Sequence, residues 1–146
     1  MRAAFVFVLL FFSLAAQAKD PVKLDLSKPD FANQQKAIVE AVKIDPAYFE
    51  ITDRDRNEVI GTLDRLAQTF TEAKTLASLD AAARDQALAE QNQVNRILDK
   101  AAKDSRQICR QEKVVGSNMP KRVCMTAAKL RRMHDNVDEQ KASIGR

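Results

Sequence analysis

Residues 53–77 read DRDRNEVIGTLDRLAQTFTEAKTLA, and residues 81–110 read AAARDQALAEQNQVNRILDKAAKDSRQICR. In both stretches apolar residues recur at alternating spacings of four and three, which places them on one face of an α-helix. The first face consists of Val59, Leu63, Leu66, Phe70, Ala73 and Ala77. The second consists of Ala87, Gln91, Val94, Leu98, Ala101, Ser105 and Ile108, in which Gln91 and Ser105 are polar. The spacing predicts two long helices.

Ser78-Leu79-Asp80 separates these stretches with side chains that cap helices. No Gly or Pro forces a break there, so one continuous helix is the alternative. We favour a tight antiparallel turn, because a helix of about 55 residues would bury its apolar face only by oligomerising. Gly61 costs helix stability up to about 1 kcal/mol relative to alanine. Its small size would let another helix approach closely.

Two shorter helices are expected on either side. The first begins at Asp30 and ends near Lys43, because Asp45-Pro46 disfavours helical backbone angles. The last begins after Thr126, a predicted N-cap. Its apolar face contains Leu130, Met133 and Val137. No segment alternates as a strand would over a useful length.

We therefore expect an all-α fold. It would be a three- to four-helix bundle or an elongated helical hairpin, with residues 30–146 as a single helical domain. One disulfide-closed loop would precede the last helix, because Cys109 and Cys124 are the only cysteines. Two cysteines in an exported chain predict one disulfide. They lack the Cys-x-x-Cys spacing of a redox pair, and with the single His134 they make a poor zinc set.

The first residues indicate export. Residues 1–18 combine a positive start, a nearly continuous apolar run and the small residues of Ala16-Gln17-Ala18, which predict a cleaved secretory signal peptide. The apolar run is shorter than the about 20 residues of a membrane-spanning helix, so no transmembrane segment is expected after cleavage. We expect a periplasmic protein, with secretion as the alternative. Residues 19–29 contain Pro21 and Pro29 and are expected to form a flexible arm.

Charge is segregated along the chain. Residues 19–95 carry 10 basic and 14 acidic side chains, whereas residues 96–146 carry 13 basic and 6 acidic side chains. This pattern indicates an anionic partner for the C-terminal part, with solvated helix faces or attraction between the halves as alternatives. Nucleic acid is not expected, because the basic region has no aromatic residue on which bases would stack. The candidate partner-binding residues are Arg106, Arg110, Lys113, Gly116, Lys121, Arg122, Lys129, Arg131 and Arg132.

Residues 109–126 read CRQEKVVGSNMPKRVCMT. The pattern C-R-x-E-x-x-x-G-S-x-x-x-x-R-V-C-x-T resembles a loop of small uncharacterised exported proteins of Gram-negative bacteria. The resemblance implies a periplasmic protein with a disulfide-closed loop, and it implies no activity. From the residues themselves, we expect a positive φ at Gly116 and a local ion pair for Glu112, the only acid among the neighbouring cations.

No catalytic constellation is evident. Ser117 follows Gly116 without a G-x-S-x-G motif, and no cofactor or metal is expected. We therefore expect a non-enzymatic interaction protein that binds an anionic envelope component or a protein through its basic C-terminal half and the 109–124 loop. A purely structural role for this loop stays open. The alternative functions are a self-associating structural protein with coiled-coil-like helices and an extracytoplasmic chaperone or stress protein.

Overall fold

The computed structural model describes residues 21–73, 75–113, 115–116 and 119–144. The predicted signal peptide, residues 1–18, lies outside the described residues. The described chain forms four α-helices, two short 3-10 helices and one β-hairpin. In chain order these are α1 (Phe31–Ile44), a 3-10 helix (Pro46–Tyr48), α2 (Asp53–Glu72), a 3-10 helix (Leu76–Ser78), α3 (Ala81–Ser105), β1 (Gln107–Lys113), β2 (Pro120–Thr126) and α4 (Ala127–Ile144).

The two long helices are separate, as predicted. Thr52 Oγ1 accepts a 3.0 Å hydrogen bond from the Asp55 N–H at the start of α2. Asp80 Oδ1 accepts a 2.8 Å hydrogen bond from the Ala83 N–H at the start of α3. Each bond satisfies a backbone donor that the helix itself leaves unpaired. Residues 75–80, which include the second 3-10 helix, belong to the turn between them.

The helix α2 lies antiparallel to both α1 and α3. The rings of Phe31 and Phe70 are 5.3 Å apart and join the start of α1 to the end of α2. Ion pairs from Arg65 to Glu90 and from Lys100 to Asp55 join α2 to α3 in opposite chain directions. The predicted apolar faces meet in the core. Its fully buried aliphatic side chains include Ile38, Val42, Val59, Leu63, Leu66, Val94 and Leu98.

Residues 22–26, part of the segment predicted to be a flexible arm, are packed between α1 and α3. Leu24 and Leu26 are buried in the core. The Leu24 N–H donates to Asn95 Oδ1 at 2.8 Å, and the Leu26 N–H donates to Gln91 Oε1 at 2.7 Å. Side-chain amides of α3 therefore bind this extended backbone much as a neighbouring strand would.

The fold is not purely α-helical, so the all-α prediction is corrected. The third helix was expected to reach Arg110, but it ends at Ser105 and is followed by an antiparallel hairpin. Most side chains of β1 and β2 are exposed on both faces of the hairpin. Because neither face enters the core, the sequence lacks the alternation by which a half-buried strand is detected.

Gly61 does not mark a close helix contact. Among the described residues, an added Cβ would meet only Arg65 Nη1, at an ordinary contact distance of 3.9 Å. The expected close approach of another helix at Gly61 is therefore not found. The glycine only lowers the helix propensity of α2.

Candidate functional site

The candidate site is the basic hairpin, defined as residues 107–113, 115–116 and 119–126. Its strands pair antiparallel from Gln107 opposite Thr126 to Lys113 opposite Pro120. Gly116 lies in the connecting turn with φ 85°, as predicted. Backbone angles of this kind favour glycine because a Cβ would clash with the backbone.

Cys109 and Cys124 form the predicted disulfide, with their Cα atoms 4.0 Å apart. It joins two paired strands, whereas the sequence predicted only a closed loop before the last helix. Both cysteines are exposed. A two-stranded hairpin is marginally stable alone, so this covalent link limits separation of the strands. The bond is consistent with an oxidising compartment.

Glu50 attaches the base of the hairpin to the helical core. Its N–H donates a 2.8 Å hydrogen bond to Ser105 Oγ at the end of α3. Its carboxylate accepts a hydrogen bond from the Thr126 hydroxyl and another, at 3.0 Å, from Arg132 Nη2. The Thr126 bond is the main cause of a lowered Glu50 pKa, and Arg132 adds to it against the opposing effect of burial. Sequence reasoning missed Glu50, because it lies in a connection without periodicity.

The second turn of α4 is held by two of the candidate cations. Arg131 Nη2 lies 2.9 Å from Asp104 Oδ1, and Arg132 binds Glu50 as described. Thr126 caps the helix by accepting a 3.2 Å hydrogen bond from the Lys129 N–H, which confirms the predicted N-cap. Arg131 and Arg132 therefore hold α4 in place while remaining partly exposed.

The other candidate cations are exposed along the hairpin and at its two ends. They are Arg106, Arg110, Lys113, Lys121, Arg122 and Lys129. Within the described ranges, none of them forms an ion pair with an acidic side chain. Glu112 lies opposite Lys121 in the strand register, but the described part of the hairpin does not show the expected local ion pair. Exposed pairs of this kind contribute little energy, so the charges stay available to a partner.

The strand register distributes these charges around the hairpin. Arg110 and Lys121 lie on one face, whereas Lys113 and Arg122 share the other face with the disulfide. The basic surface therefore surrounds the hairpin instead of covering one side.

Two hydrophobic side chains are exposed in the turn of the hairpin. Val115 is 102% exposed and Met119 is 78% exposed, although both are hydrophobic. Lys113 and Lys121 lie at or next to the adjoining strand ends. Val115 and Met119, called the tip of the hairpin below, are thus bordered by cations, a combination that the sequence did not single out.

A cleft among the helices is a weaker candidate for a binding site than the basic hairpin. A cleft of about 780 Å³ opens between the start of α1 and the end of α2, near Phe31 and Phe70. Arg84 lines it, but its guanidinium donates to backbone carbonyls of residues 76, 77 and 79. This arginine stabilises the turn after α2, so the cleft is the weaker candidate for an anionic partner.

Other possible sites are not marked by the described side chains. His134 is exposed on α4, and the described residues contain no group of three potential metal ligands. None of the described helices combines the length and apolarity that crossing a bilayer requires. Comparison with family models, curated proteins and solved structures finds no match to this chain.

Proposed function

We propose that this protein is a non-enzymatic interaction protein of the periplasm that binds an anionic partner through the basic hairpin. The observation that carries the proposal is the cluster of six exposed cations on the hairpin and its ends. None of them has an acidic partner among the described residues. Glu112 is the only acid in residues 106–129, so the local potential is positive.

The attachment of the hairpin supports a binding role. The Cys109–Cys124 bond restrains the strands, and Glu50 fixes the base of the hairpin against the end of α3. A restrained surface loses less conformational entropy when a partner binds than a loose loop does. The periplasmic location rests on the predicted signal peptide and agrees with the disulfide.

Charge reversal on the hairpin tests the proposal. The variant Arg110→Glu, Lys113→Glu, Arg122→Glu changes three exposed cations without touching the ion pairs of α4. Its control is Lys36→Glu, Arg54→Glu, Arg96→Glu, which makes the same change in net charge at exposed positions on α1, α2 and α3. Co-sedimentation of each protein with isolated bacterial cell envelopes is measured at increasing NaCl concentration.

We expect the wild type and the control to bind at low salt and to lose affinity steeply as salt rises. The hairpin variant should bind at least about tenfold more weakly, since three favourable charges become unfavourable. Equal binding by the hairpin variant and the wild type, or binding that is indifferent to salt, would overturn the proposal.

Self-association through α4 is a second candidate. Met133 and Val137 are 48% and 46% exposed and lie on the predicted apolar face of this helix. Pairing two such faces would remove apolar surface from water. Light scattering on the purified protein tests the idea, and a monomer mass across the accessible concentration range would exclude it.

A further inference from the structure

We propose that the anionic partner is a lipid surface and that the tip of the basic hairpin inserts into it. This inference rests on the proposed function and names the partner. Val115 and Met119 would enter the boundary between headgroups and acyl chains, while the cations behind them contact lipid phosphates.

The hydrophobic side chains at the tip are exposed to water. Val115 and Met119 are the two most exposed large hydrophobic residues on the described surface, at 102% and 78%. Val115 follows Lys113 and Met119 precedes Pro120, the last cross-strand pair, so both lie at the end of the hairpin. An apolar tip gains free energy when it leaves water for the acyl boundary.

The cations of the hairpin lie close behind its tip. Lys121 lies one strand position behind Lys113, Arg122 two positions behind it and Arg110 three positions behind it. At about 3.3 Å per residue, these cations occupy the first roughly 10 Å of the hairpin. That depth is comparable with the headgroup layer, where each basic side chain adds to the attraction toward anionic lipid.

The distribution of the cations on both faces distinguishes a lipid surface from an acidic protein. A protein partner would contact one face of the hairpin, and a single cationic face would then suffice. Here Arg110 and Lys121 lie on one face and Lys113 and Arg122 on the other. A hairpin that enters a headgroup layer by its end meets phosphates on all sides, which matches this distribution.

Vesicle binding by the intact, oxidised protein tests the inference. The probes are vesicles of phosphatidylglycerol and phosphatidylcholine in equal parts, and vesicles of phosphatidylcholine alone. The tip variant is Val115→Asp, Met119→Asp. Its control is Ile44→Asp, Phe49→Asp, which alters two hydrophobic residues outside the hairpin that are 73% and 77% exposed.

We expect the wild type and the control to bind the phosphatidylglycerol vesicles and not those of phosphatidylcholine. The tip variant should bind at least about tenfold more weakly. The chain contains no tryptophan, so Val115→Trp introduces a single fluorescent reporter at the tip. Its emission should shift to the blue when vesicles are added, whereas that of Ile44→Trp should not.

Two results would overturn the inference. One is no binding to phosphatidylglycerol vesicles while charge reversal of the hairpin still abolishes envelope binding. In that case the proposed function holds and the partner is an acidic protein or another anionic envelope component that is not a phospholipid surface. The other is vesicle binding in which the emission of Val115→Trp does not shift and the tip variant binds as tightly as the wild type. That result would exclude insertion. Failure of charge reversal to affect envelope binding instead overturns the proposed function itself.

Discussion

Arg132 lies 82 positions after Glu50 in the chain, and its guanidinium donates a 3.0 Å hydrogen bond to Glu50 Oε2. The other carboxylate oxygen accepts a hydrogen bond from the Thr126 hydroxyl at the end of β2. One carboxylate thus joins the hairpin and α4 to the connection between α1 and α2. Together with the ion pair between Arg131 and Asp104, this contact attaches the basic surface to the core.

A double-mutant cycle measures how much this contact contributes to the free energy of unfolding. We expect Glu50→Gln to lower the free energy of unfolding by about 1.5 kcal/mol, because hydrogen bonds to a charged group are weakened. Arg132→Gln should cost about 0.5 kcal/mol, with a coupling of similar size to Glu50. Urea denaturation provides the measurement. The more exposed pair of Lys28 with Asp25 is the control and should show little coupling. Strict additivity at Glu50 and Arg132 would contradict this role.

Acidification should remove the contribution of Glu50. Its pKa is lowered in the folded protein from an ordinary value of 4.5, chiefly by the Thr126 hydrogen bond. The unfolded chain therefore takes up the proton first as pH falls. The stabilisation is complete well above pH 4.5 and is lost as pH falls through the lower folded-state pKa. The unfolding free energy measured between neutral and acidic pH should fall less in Glu50→Gln than in the wild type.

The pH dependence that Asp25 adds to stability must be separated from that of Glu50. Hydrogen bonds from Ser27 lower the Asp25 pKa, so this carboxylate contributes a pH dependence of the same sign. Asp25→Asn removes its contribution and leaves that of Glu50. An identical acid dependence in Glu50→Gln and the wild type, both carrying Asp25→Asn, would refute the assignment to Glu50.

The two described glycines should respond to alanine in opposite directions. Gly61→Ala should stabilise the protein by about 1 kcal/mol, because the helical site has room for a Cβ. Gly116→Ala should destabilise the hairpin by about 1 kcal/mol, because its φ of 85° disfavours a side chain. Denaturation measures the first effect and amide exchange of the strands the second. Destabilisation by Gly61→Ala would show that the helix tolerates a Cβ there less well than its surroundings indicate.

The disulfide should stabilise the hairpin and leave the helical core nearly unchanged. A link across 15 positions is worth about 3 kcal/mol in the chain-entropy description, or roughly a hundredfold in the opening equilibrium. In Cys109→Ser, Cys124→Ser, amides of β1 and β2 should therefore exchange up to about a hundredfold faster. Amides near Val94 and Leu98 report on the core and should keep their protection. Equal losses in both regions would mean that hairpin and core unfold together.

The helical part of the fold was predictable because its periodicity and its burial coincide. Val59 and Leu63 recur at helical spacing and are fully buried. The hairpin lacked such a signal, since its side chains face water on both sides. The packing of Leu24 was also hidden, because the amide that binds its backbone lies 71 positions away on α3. For the site, charge and cysteine content singled out residues 109–124, but as a loop, and only the tertiary structure showed that Glu50 binds the base of the hairpin.

The N-terminal segment depends on side-chain amides for its position. Asn95 Nδ2 donates to the Leu24 carbonyl at 2.9 Å, in addition to accepting from its N–H. Gln34 on α1 makes the same two contacts with the backbone of Asp25. These hydrogen bonds replace water around a backbone whose leucine side chains enter the core. Removing one amide therefore leaves backbone groups near the core without a partner.

Asn95→Leu tests this dependence, with Asn92→Leu as the matched control at an exposed position of the same helix. We expect Asn95→Leu to lower the free energy of unfolding by about 2 kcal/mol, because two backbone groups of Leu24 lose their partner. Trypsin should also cleave after Lys23 faster, since the segment must leave α3 before it fits a protease. Asn92→Leu should change neither quantity. Equal cleavage rates in the two variants would show that burial of the leucines alone holds the segment.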